Sequence, residues 1–110
     1  MRRHFFYILL SLAERDRHGS AIMRDVLILT DNALKLWPVT LYGSLDELCH
    51  EGWIRAIQTP PAGEAEGEGG HRKWFRITAA GRRALAREVA VLDGVVRLAQ
   101  QRLVHSGEPV

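Results

Sequence analysis

Cys49 and His50 are adjacent, and thiolate plus imidazole is a donor pair that zinc and its neighbours accept readily. Neighbouring helical residues, however, point about 100° apart. The chain has one cysteine, and His4, His18, His71 and His105 lie at no compact ligand spacing. Cys49 therefore reads as a small buried apolar residue, and no metal or other cofactor is expected. A lone cysteine also excludes an internal disulfide and fits a reducing, cytoplasmic setting. Trp37, Trp53 and Trp74 offer flat faces on which an aromatic ligand could stack. The plainer reading puts Trp53 in the core at a helix-to-strand junction and leaves the other two half exposed. No nucleophile elbow, glycine-rich phosphate loop or carboxylate pair occurs in a suitable context, so an enzyme is not expected.

The elements that must position these residues come from hydrophobic spacing. A chain of 110 residues, 46% hydrophobic and 25% charged, suits one soluble domain and cannot support two independent cores. Phe5, Ile8, Leu9, Leu12 and Ala13 repeat at the spacing of one helix face over His4 to Glu14. That apolar run is short and Glu14-Arg15-Asp16-Arg17 closes it, so it is expected to be a helix of the fold rather than a leader or a membrane span. Ser20 is expected to cap a second helix, Ala21 to Leu29, with Ile22, Met23, Val26 and Leu29 inward. Thr30-Asp31-Asn32 is a break. Pro38 suits the first turn of a third helix running to about His50, with Leu41, Leu45 and Leu48 on one side and Gly52 as a left-handed stop.

The period then changes. Residues 53–59 and 72–77 are short, β-branched and aromatic, which predicts two strands, while Pro60 to Gly70 is polar and glycine-rich and reads as a mobile hairpin tip. Thr78 can cap a last helix from Ala79 to about Val104, with a disordered tail over 105–110. Along that helix Leu85, Val89, Leu92, Val96, Ala99 and Leu103 alternate spacings of four and three, a heptad seam with Leu85, Leu92 and Ala99 at d and Val89, Val96 and Leu103 at a. Val91, Val95 and Leu98 widen the stripe. A domain of three short helices and one hairpin has little surface to cover it, so a homodimer is expected. The fold class is mainly α with a β-hairpin wing: a winged helix-turn-helix over 1–78 and a long C-terminal dimerisation helix over 79–104.

Particular residues support that order. Tyr7-Ile8-Leu9-Leu10-Ser11-Leu12, His18-Gly19-Ser20-Ala21-Ile22, Pro38-Val39-Thr40-Leu41-Tyr42-Gly43-Ser44-Leu45, His50-Glu51-Gly52-Trp53-Ile54 and Arg72-Lys73-Trp74-Phe75-Arg76-Ile77-Thr78-Ala79-Ala80-Gly81-Arg82 together resemble the PadR family of bacterial transcriptional regulators, over most of residues 5–85. The resemblance implies a homodimeric repressor whose long C-terminal helix swaps against its twin and which responds to a small hydrophobic or phenolic effector. Where the family often has Ser-Pro-Gly-Thr, this chain has Trp37-Pro38-Val39-Thr40, which loses the capping hydroxyl. The last helix holds no aromatic residue, so the family's drug-sandwiching tryptophan has no match.

Charge adds a constraint on double-stranded DNA as the partner. The formal net charge is +2, yet Met1 to Arg17 holds four Arg against two acids, His18 to Gly70 three bases against eight acids, and His71 to Arg102 eight bases against two acids. No Lys or Arg occurs from Leu36 to Ile54, whereas Asp46, Glu47 and Glu51 lie on or just after the third helix. Base reading must then rest on Thr40, Tyr42 and Ser44 through hydroxyls and on Val39 against a thymine methyl, with Lys35, Arg72 and Lys73 on phosphates. The acidic third helix also fits a rival, a dimeric protein-interaction module that has lost tight DNA binding.

Overall fold

Phe5, Ile8, Leu9 and Leu12 share one side of a helix, and in the computed structural model that side is the floor of the core. The structure describes residues 1–58 and 73–105. Helix α1 spans Arg3–Glu14 and leads into a two-residue strand, β1 (Arg17–His18), then α2 (Gly19–Leu29) and α3 (Pro38–His50). Strands β2 (Ile54–Ile57) and β3 (Trp74–Ile77) follow, and α4 (Ala79–His105) ends the described chain. The expected hairpin tip at 60–70, the outer ends of its strands at Thr59 and Arg72, and the tail beyond His105 lie outside the described residues. The sheet runs β1-β3-β2, antiparallel throughout, with Ile54 opposite Ile77 and Arg17 opposite Phe75.

Two sequence expectations need correction here. Leu29, read as inward, is 43% exposed at the last residue of α2. Ser20 does not cap α2; His18 does, its Nδ1 accepting the Ala21 N–H at 3.2 Å. Pairing of β1 with β3 keeps His18 extended (φ −86°, ψ 168°), so the chain turns into the helix two residues earlier than the hydroxyl suggested. The other boundaries follow local chemistry. Pro38 opens α3, and Gly52, at φ 76°, closes it. The left-handed residues Asp31 and Asn32 form the turn between α2 and α3. Thr30 braces that turn: its Oγ1 donates to the Val26 carbonyl at 2.8 Å and accepts the Leu34 N–H at 3.0 Å.

Leu41, Leu45 and Leu48 of α3 and Ile22 and Val26 of α2 close on α1, with Ile54, Phe75 and Ile77 of the sheet completing the core. Helix α4 joins it only by its first two turns. Thr78 Oγ1 donates to the Gly52 carbonyl at 2.6 Å and accepts the Gly81 N–H at 3.0 Å, while the Thr78 N–H reaches the Trp53 carbonyl at 3.0 Å. A side chain at Gly81 would collide with that same Trp53 carbonyl, so glycine sets how closely α4 approaches β2. Ala84 and Leu85 are buried, and beyond Ala86 every described side chain except the half-buried Glu88 is exposed. The helix therefore projects from a body 27 Å across to an overall length of 56 Å.

Candidate nucleic-acid interface

Helix α3 has two unlike sides. Leu41, Ser44, Leu45 and Leu48 face inward, and Val39, Thr40, Tyr42, Gly43, Asp46, Glu47 and His50 face out. Val39 is 87% exposed, the most open large hydrophobic side chain among the described residues. Ser44 is the correction among the expected contacts: it is 4% exposed, and its Oγ donates back to the Thr40 carbonyl at 2.7 Å. That hydroxyl is consumed inside the helix and is not available to a groove. Tyr42 keeps about half of its surface, with its hydroxyl packed over Gly19 at the start of α2; a Cβ on Gly19 would fall 2.5 Å from that oxygen.

The approach to α3 alternates. Leu36 is buried, while Lys35 and Trp37 point out, with the Lys35 ammonium 4.3 Å from the centre of the Trp37 ring. Trp37 makes no side-chain cap, as an indole that only donates requires, and Pro38 has no N–H. The first intrahelical bond comes from the Leu41 N–H to the Trp37 carbonyl, which leaves the Val39 and Thr40 N–H groups without helical partners beside a cation. At the other end of the helix, Asp46, Glu47, His50 and Glu51 line a shallow depression of about 290 Å³. Arg2 reaches it, its Nη1 lying 2.9 Å from Glu47 Oε2.

Much of the basic flank is already engaged. Arg17, 8% exposed, donates to the Ser11 carbonyl and pairs with Glu14 and Asp25 at 3.5 Å. Arg76 forks onto Asp16, which raises the Arg76 pKa further, and Arg97 pairs with Asp93. Lys73 is exposed at the base of the wing, close enough to Cys49 to oppose the upward pull on that thiol. Burial dominates that pull, and Asp46 adds to it. Arg72 lies outside the described residues. The sequence reading overlooked Arg15 and Arg24, which line a depression of about 170 Å³ at the start of α2 with Asp16, Arg17, His18, Ala21 and Trp74, the Asp16 carboxylate being taken up by Arg76. Neither Arg15 nor Arg24 has an ion-pair partner among the described residues. Only folding brings them together, since nine positions separate them in sequence.

Of the three indoles, Trp37 is exposed and Trp53 packs against the core, as read from sequence. Trp74 is buried and not half exposed, because β3 is the central strand and His18 stands edge-on to its ring at 5.0 Å. Of the seam residues, Leu85 belongs to the core of its own chain, whereas Val89, Leu92, Val96, Ala99 and Leu103 are exposed on the projecting helix. Among the described residues no group of three or more His, Cys, Asp or Glu could hold a metal, and no helix is long and apolar enough to cross a membrane.

The transcriptional regulator PadR-like family model matches residues 8–87. The chain belongs to this family. Solved structures share its fold. A PadR family regulator from Clostridium difficile is 18% identical at a TM-score of 0.73, covering 93% of this chain and 99% of that one. A transcriptional regulator from Clostridium thermocellum is 23% identical at 0.69, covering 89% and 87%. RosR of H. salinarum is 19% identical at 0.67, covering 97% and 93%. Among curated protein sequences none matches. The family match ends at Arg87, close to where α4 of this PadR-like regulator leaves the body and its side chains become exposed.

Proposed function

We propose that this PadR-like chain is a DNA-binding repressor that reads a palindromic operator as a homodimer. One observation carries the reading: the first half of α3 presents an uncharged, exposed face, Val39 and Thr40 with part of Tyr42, while cations with no ion-pair partner among the described residues lie before the helix, beyond its far end and at the start of α2. Lys35 precedes the helix, Lys73 lies beyond its far end, and Arg15 and Arg24 flank the start of α2. In this division of labour cations hold phosphates and short side chains meet base edges, with Val39 placed for a thymine methyl. Ser44 has no part in it. The Arg2–Glu47 pair lowers the acidity that α3 would otherwise carry toward the duplex.

The dimer half of the reading rests on α4. An aliphatic stripe this long is rare on the surface of a monomer, and its heptad spacing fits a second copy of the same helix. Two α3 helices related by a twofold axis then require a palindromic site with half-sites about one helical turn apart or a multiple of it. The effector response implied by the family resemblance belongs to the same proposal, with a small hydrophobic or phenolic molecule as the expected class.

Selection of bound duplexes from a random pool tests the reading. The expected result is a palindromic consensus, bound with a steep salt dependence. A pool that yields no consensus, together with no binding to the native promoter region at low salt, would leave the interaction module, for which the acidic depression on Asp46, Glu47 and Glu51 is the supporting feature.

A further inference from the structure

Nothing inside the chain requires residue 43 to be glycine. Gly43 sits in the middle of α3 with helical residues on both sides, it is not among the residues of positive φ, and a Cβ built on it meets no atom within 4 Å. Gly81 differs, being held to glycine by the Trp53 carbonyl, and at Gly19 a Cβ would have to displace the tip of the Tyr42 ring. A glycine within a helix weakens it relative to alanine, because the backbone loses more freedom and no side chain packs in return. Openness alone does not single it out, since Gly94 on α4 is equally open; what distinguishes Gly43 is that its bare position lies on the exposed face of the helix that the DNA-binding reading puts in the groove.

Its place on α3 indicates what a bare position there can receive. Val39 and Thr40 lie one turn before Gly43, Asp46 and Glu47 one turn after, and all are exposed. Gly43 is thus a notch between an apolar, hydroxyl-bearing end and an acidic end of the same face. With no Lys or Arg from Leu36 to Ile54, α3 has no long cation with which to reach base edges from a distance. Short side chains reach them only if the helix backbone itself seats deeply in the major groove. The group there that fits a small apolar recess and carries sequence information is the C5 methyl of thymine.

We infer that Gly43 determines operator specificity: its missing side chain lets α3 seat against the groove floor and receives a thymine methyl, walled by Val39. The inference rests on the DNA-binding reading of α3 and names the base that reading would select at this position.

The test uses the full chain and the duplex selected from the random pool. Gly43→Ala should raise Tm by about 4 °C through helix propensity, yet weaken binding to that duplex by about tenfold through overpacking. Gly94→Ala is the matched control. It too lies within a long helix with open space around it. It should raise Tm similarly and leave affinity within about twofold, since the position lies off the a and d seam. Replacing thymine by deoxyuridine at one half-site position should weaken the native chain about fourfold, the worth of one buried methyl, and leave Gly43→Ala unaffected. Native affinity in Gly43→Ala, or indifference of the native chain to every such replacement, overturns the inference while the DNA reading stands. Failure of the native chain to select any duplex removes that reading, and this inference with it.

Discussion

The two ends of α4 carry aliphatic residues at the same helical spacing and have opposite surroundings. Around Gly81, Ala84 and Leu85 the helix is closed in by the body: the Trp53 carbonyl faces Gly81, Arg82 reaches the Ala13 carbonyl at 3.4 Å, and Leu85 joins the core cluster. From Val89 onward the described side chains of α4 are exposed, with Leu92 and Val96 at 41% and 52%. One unbroken heptad pattern therefore serves two purposes. Its first member holds the helix to its own domain, and the others form the exposed surface on which the proposed dimer rests.

That contrast can be broken most forcefully at Leu92. Leu92→Asp places a charge in the seam of the proposed dimer and should raise the dimer dissociation constant by about a thousandfold, roughly 4 kcal/mol. Sedimentation should find folded monomers, and an unchanged dimer would refute the seam. At the inner end, Gly81→Ala should cost about 3 kcal/mol in urea unfolding, because a Cβ there meets backbone and not the tip of a flexible side chain. Leu85→Ala should cost about 2 kcal/mol at every protein concentration. Val96→Ala, by contrast, should lower Tm in a concentration-dependent way, since its loss acts through association. The smallest effect is expected at Ser11, whose buried Oγ has no hydrogen-bond partner among the described residues. Ser11→Ala should be neutral or stabilising by up to about 1 kcal/mol, and a clear loss of stability would mean that the hydroxyl has a partner.

How much of this was legible beforehand depends on the range of the interactions. Helices α1, α3 and α4 are written in local spacing, and Pro38, Gly52 and Thr78 mark their ends, so all three could be read from sequence. Strand β1 could not, because two residues leave no periodic signal and it exists only through pairing with β3 across the domain. The His18 cap was missed for the same reason. Likewise the Arg76–Asp16 fork joins residues 60 positions apart, so a charge count could not show that this cation is spent. Ser44 was different, since the signal was present. It falls three residues after Leu41 and four before Leu48, on the buried face they define, and helical spacing alone should have turned it inward.

In the proposed complex phosphates are held around α3 and not by it, which makes the salt dependence of specific binding the most direct measurement. Lys35, Lys73, Arg15 and Arg24 from two protomers would release about eight counterions, giving a slope of log K against log salt near −7. Replacing Arg15 and Arg24 together by Ala should reduce its magnitude by about 4 while the selected consensus persists. A slope near zero in the native chain, or one unchanged by that double replacement, would contradict the arrangement.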